Sequence, residues 1–204
     1  MKIKVSTFKF LYNPFVRYAG GQAVAYGIAI SLLAAVLASV MCARFDGILD
    51  VHFVASPVSL SLALIDQGCN ALTLSVVFYS MALAAGARHT RFVDIVGTLL
   101  LARAPFVFVP LLNATGTFSD LSRVAMAGAL TQPEGLDLGN LLFIIPLSLL
   151  MLLLVVWMVA LMYHAYRVST HLKSTRLVLS FIVAIILAEA LSKYLLYLTH
   201  TFVV

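Results

Sequence analysis

The apolar positions of this chain fall into five long runs, not into the short alternations of a soluble domain. They extend over Gln22 to Cys42, Asn70 to Ala87 (with Leu64 as an earlier start), Phe92 to Leu112, Leu141 to Tyr163 and Leu177 to Leu198. At about 1.5 Å per residue, runs of this length match roughly 30 Å of bilayer hydrocarbon. Backbone groups in lipid must be satisfied internally, so each run predicts a helix. The expected fold is all-α, a polytopic transmembrane helical bundle with five spans. Residues 22–204 make up the five-helix transmembrane domain, preceded by a basic and aromatic interfacial segment over residues 1–21. Pro105 and Pro110 predict a bend or loosening in the third span.

The connectors carry weaker patterns. Val58-Ser59-Leu60-Ser61-Leu62 alternates as a strand would. A lone strand at a membrane has no ladder partner, so the stretch from Phe45 to Cys69 is expected to hold a short interfacial helix leading into the second span. Residues 114–139 read as a loop containing a helical turn over Leu121 to Leu130, capped by Asp120, and a later turn at Pro133-Glu134-Gly135. The first 18 residues interleave Lys2, Lys4, Lys9 and Arg17 with Phe8, Phe10, Leu11, Phe15 and Tyr18. That pattern suits a segment on an anionic leaflet, broken at Asn13-Pro14, or simply the positive flank of the first span.

Composition agrees with the runs. Of 204 residues, 63% are hydrophobic and 10% charged, with a mean hydropathy of +1.07. A soluble domain carries about 25% charge. The net charge of +5 changes the picture only through its placement. Lys2, Lys4, Lys9, Arg17, Arg88, Arg91, Arg167, Lys173 and Arg176 all fall on one side of the predicted bilayer, and only Arg44 and Arg123 on the other. By the positive-inside rule the N-terminus is cytoplasmic, and five spans then place the C-terminus outside, periplasmic in a bacterial inner membrane. The basic residues have no nucleic-acid footprint, so nucleic acid is not an expected partner. The first run lacks a small-x-small cleavage site and is read as a retained span.

Candidate chemistry is sparse. Cys42 and Cys69 are too few for a disulfide framework or a thiolate metal site. His52, His89, His164, His171 and His200 do not converge, and no catalytic, phosphate-binding or metal motif is present. Neither catalysis nor a cofactor is therefore expected. Charges inside spans are costly and need a reason. Arg103 lies mid-way along the third span; Glu189 and Lys193 share a face of the fifth. These three form the expected intramembrane polar network, with Glu189 at similar depth to Arg103 and placed to neutralise it. Asp66 and Asn70, four apart at the start of the second span, form an outer-face polar pair suited to capping or to bonding a neighbouring helix. Asp94 is a favourable first-turn acid. Small residues Ala82, Ala84, Ala85, Gly86 and Ala87, and Gly97 in the third span, permit close packing.

Asn13-Pro14-Phe15 in a short basic N-terminal segment, and Phe92-Val93-Asp94 before a span ending in prolines, form a recognisable layout. Trp157 in the fourth span, Tyr166-Arg167-Val168-Ser169 after it and a basic loop before the last helix complete it. The whole resembles the bacterial branch of the Yip1-domain family of five-span membrane proteins. The resemblance implies a membrane organiser or interaction partner, since eukaryotic members associate with Rab-type GTPases and assist vesicle traffic. The set Arg103, Glu189 and Lys193 matches no motif of that family. The expected function is thus a non-enzymatic membrane protein working through lipids, other membrane proteins or further copies of itself. The alternative is a small transporter or permease component using those three charges.

Overall fold

The computed structural model describes residues 13–121, 123–124 and 138–203. Among the described residues the five spans are built on α1 Gly20–Val40, α2 Leu60–Ala84, α3 Phe92–Ala102, α4 Leu138–Thr170 and α5 Ser174–Val203. All five spans, counting α3 with its extension to Asn113, are long and apolar enough to cross a membrane, the construction of an integral membrane protein. Two short strands, β1 Ala43–Arg44 and β2 His52–Phe53, pair antiparallel between α1 and α2.

The helix ends follow local chemistry. Ser59 caps α2, its hydroxyl accepting from Leu62 N–H at 3.3 Å. The Val58–Leu62 alternation is therefore helical from Leu60 onward, and the helix runs unbroken into the second span. The α2 helix stops at Gly86, whose φ of +95° lets the Ala87 N–H turn back to the Ala82 carbonyl at 2.9 Å. The third span departs from a regular helix where its prolines require it. Pro105 has no N–H and crowds the preceding turn, so α3 ends at Ala102. Tighter turns continue over Ala104–Phe108 and Pro110–Asn113. In the loop beyond, residues 117–121 are already helical, so Asp120 lies within this helix and does not cap it. The turn expected at Pro133-Glu134-Gly135 lies outside the described residues.

The third span is the central element: 72% of its most apolar stretch is buried, against 11% for the fourth span, and α3 is its regular part. It packs on α1, α2 and α4, while α5 packs chiefly on α2. The α1–α3 contact is backbone against backbone. A Cβ on Gly97 would lie 2.8 Å from Val24 N and 2.9 Å from Gly20 O, and one on Gly27 would lie 2.5 Å from Leu100 Cβ. Only glycine allows that approach. Phe78, Tyr163, Tyr166 and Phe181 interlock where α2, α4 and α5 meet near the 171–173 turn. Thr98 and Ser169 hydroxyls, 2.7 Å apart, tie α3 to α4 at that end.

Residues 1–12, most of the expected interfacial segment, lie outside the described residues. Pro14 opens a short turn over Pro14–Val16, and Phe15 is buried in the main core.

Candidate functional site

Asp66, Asn70, Glu189 and Lys193 gather around one element, the connector from Cys42 to Val58. Its strands form a hairpin whose tip folds back between the helices, with Phe45, Ile48 and Val51 buried in the main core. Phe45 packs on Phe106 at a ring separation of 5.8 Å. A segment with its own N–H and C=O groups enters an apolar bundle only if they find partners; α1, α2 and α5 supply them, and Asn113 of the third span braces the base.

α2 supplies Asp66 and Asn70, which are 1% and 0% exposed. Neither caps the helix, which begins six residues before Asp66. Asp66 accepts from Arg44 Nε at 3.4 Å, and its other oxygen lies 3.1 Å from His200 Nε2. Arg44 also contacts the His200 ring, so three charged or polar groups from β1, α2 and α5 share one cluster. Asn70 Nδ2 donates to the Phe45 carbonyl at 3.0 Å. The expected outer-face pair is thus a pair of hairpin anchors.

α5 supplies Glu189 and Lys193. The Glu189 carboxylate rests on Gly47, where any Cβ would lie 2.5 Å from its Oε1, and Oε2 accepts from Leu49 N–H at 2.8 Å. Lys193 Nζ bridges Glu189 at 3.5 Å and Asp50 at 2.6 Å. The third span adds Asn113, which donates to the Met41 carbonyl at 2.9 Å and accepts from Ser119 N–H at 3.0 Å. Ser39 on α1 donates to the Val58 carbonyl at 2.6 Å.

Arg103 is the exception. It is 3% exposed, and none of its three guanidinium nitrogens has a hydrogen-bond partner among the described residues. Glu189 is the carboxylate whose charge reaches it, yet the expected hydrogen-bonded pair is not formed. The Glu189 carboxylate is already engaged by the Leu49 N–H, by Gly47 and by Lys193. The carboxylate turns to the hairpin instead. Of the expected network, the structure joins Glu189 to Lys193 directly and leaves Arg103 answered only through space.

At the hairpin surface, His52 Nδ1 pairs with Asp46. That hydrogen bond, outweighing partial burial, raises the His52 pKa. Burial would lift Asp46, but the bond and charge of His52, with Arg44 and His200 behind, bring its carboxyl below the usual range. Cys42 and Cys69 are both free thiols.

The anchors Arg44, Asp50, Asn113 and His200 went unread in the sequence. Their one signal was charge complementarity: a connector bearing Arg44, Asp46 and Asp50 next to span ends bearing Asp66, Lys193 and His200. Set beside known proteins, the chain matches no family model, no curated protein and no solved structure.

Proposed function

We propose that this is a non-enzymatic integral membrane protein that acts through contacts with lipids and with other membrane proteins, as an organiser or scaffold. One observation carries the reading, a division of labour among the spans. Asp66, Asn70, Glu189, Lys193 and His200 are all engaged in holding or bracing the hairpin. Meanwhile none of residues 141–153 of α4 is buried, and Leu142, Phe143, Leu149 and Leu153 are each at least 60% exposed. Polar chemistry is spent on shape, and apolar surface is offered outward. A bacterial inner membrane with the N-terminus cytoplasmic and the C-terminus periplasmic belongs to the same proposal, on the distribution of basic residues. So does the Yip1-family resemblance, which a scaffold of this kind suits.

Native mass spectrometry of the solubilised protein tests it: bound lipid, a partner or a higher oligomer is expected. A lipid-free monomer with no partner would count against it. A transport reading has one specific observation in its favour, the unpartnered Arg103 guanidinium at mid-span. It predicts that Arg103→Leu leaves the fold intact while abolishing uptake of an anionic solute into proteoliposomes.

A further inference from the structure

We infer that the groove between α1, α3 and α4 is a binding site for one acyl chain of an anionic phospholipid, with the headgroup phosphate held by Arg17. The inference deepens the proposed function, on which it rests, by naming a lipid class and a site. The groove has a volume of about 370 Å³ and is lined by Pro14, Tyr18, Tyr26, Leu101, Ala104 and Trp157, with Ile30 and Leu161 completing it. That size is within the range of specific ligand sites, and every lining side chain is apolar or aromatic.

Depth identifies the occupant. Ile30 is ten residues past the start of α1, Leu101 nine past the start of α3, and Leu161 nine before the end of α4. At about 1.5 Å per residue each lies roughly 14–15 Å from the same face of the bundle. The groove therefore runs from the membrane surface, at Pro14 and Tyr18, to about the middle of a 30 Å hydrocarbon layer. That is the depth of one leaflet and the course of one acyl chain. Its mouth is marked by charge. Arg17 is exposed, with its guanidinium carbon 5.6 Å from the centre of the Tyr18 ring, and Tyr18 meets Tyr26 edge-on at 5.0 Å. Stacking on Tyr18 holds the cation at headgroup level. Asp94 lies near Gly20 at this face, but Arg88, Arg91, Arg167, Lys173 and Arg176 outnumber it, favouring an anionic headgroup over a zwitterionic one.

Trp157 is the chain's single tryptophan, so its fluorescence reports the groove directly. The full chain would be reconstituted in phosphatidylcholine vesicles containing increasing brominated phosphatidylglycerol, with brominated phosphatidylcholine as the control. Saturable quenching at low mole fraction by the anionic lipid alone is expected. Arg17→Gln, at an exposed site, should shift the midpoint about five-fold. Ala104→Phe should block the groove and remove the saturable phase, and Ile30→Phe serves the same end if Ala104→Phe does not fold. Quenching that tracks mole fraction equally for both headgroups would overturn the site while leaving the membrane reading intact. No quenching by either lipid would overturn the membrane reading itself. Saturable quenching that ignores Arg17→Gln would overturn the site as stated. So would quenching that appears only after residues 2–12 are deleted, which would make the chain's own N-terminal segment the occupant.

Discussion

The α1–α3 seam and the α2–α5 pairing hold the same bundle together by opposite chemistry. At the first, side chains are removed. Gly20, Ala23, Gly27 and Gly97 let two backbones touch, and dispersion between them does the work. At the second, side chains are added: Asp66, Asn70, Glu189, Lys193 and His200 clasp a hairpin that intrudes from the loop side. The difference teaches where each kind of packing can survive in lipid. Glycine contacts need no polar atoms and suit the half of the bundle facing the basic turns. The hairpin brings a peptide backbone into an apolar setting, and only a fixed ring of donors and acceptors makes that tolerable.

The largest break should come from Glu189→Ala. It removes the counter-charge nearest a buried cation and strips the Leu49 N–H of its acceptor. The expected loss is near the top of the about 1–3 kcal/mol that a buried group left without its partner costs, read as thermal unfolding in detergent. Arg103→Leu alone should be mild, because the Glu189 carboxylate keeps Leu49 and Lys193. The double variant should recover only the share of the Glu189→Ala loss that comes from Arg103, since the Leu49 N–H still lacks its acceptor. Strictly additive effects would show that Glu189 serves the hairpin alone.

Next in size is the glycine seam. Gly97→Ala would press a Cβ against backbone atoms at 2.8 and 2.9 Å, which cannot rotate away. Overpacking of this kind costs about 1–3 kcal/mol. Gly21→Ala, where nothing lies within 4 Å, is the control and should be neutral or slightly stabilising. Equal losses at both positions would mean that helix propensity, not close approach, is being measured.

On the polar side, Asn70→Ala should cost about 1–2 kcal/mol by leaving the Phe45 carbonyl buried without a donor. Hydrogen exchange should speed up in the hairpin and not along the α1–α3 seam. Uniform acceleration would mean that the two regions are one cooperative unit.

The smallest effect is a pH dependence confined to the hairpin. The His52 pKa is raised by Asp46. Its contribution is therefore fully present below the unfolded value, about 6.5, and fades as pH climbs through the higher folded value. Asp46 is shifted down, so its share holds above about 3.9 and is lost as pH falls through the lower folded value. With both groups a third to a half exposed, the expected change is under about 1 kcal/mol. His52→Gln should flatten the alkaline side of the stability profile; an unchanged slope would assign that slope to another group.

Much of the architecture was legible in the residues. Twenty-residue apolar runs leave a chain no alternative to helices in lipid, and five of them set the bundle. The breakdown of the third span follows from Pro105 and Pro110, because a missing N–H is a property of the residue itself. Asp94 acts in the first turn of α3 for a similarly local reason.

What only the tertiary structure decided is which polar groups meet. Asp66 and Asn70 looked like interface caps because sequence spacing shows a shared helical face but not what lies opposite it. The partner of Glu189 turned on a hairpin whose Gly47 and Leu49 meet the carboxylate, which a hydropathy pattern does not encode. The β1–β2 pairing escaped for the same reason. Two residues per strand are too few to alternate visibly, and their ladder is stabilised by buried Phe45 and Ile48 and by anchors more than twenty residues away. Local periodicity arises from covalent geometry and solvent, and so can be read along the chain. Pairing depends on which distant groups the packed helices bring within 3 Å of one another, and that is settled only when the bundle closes.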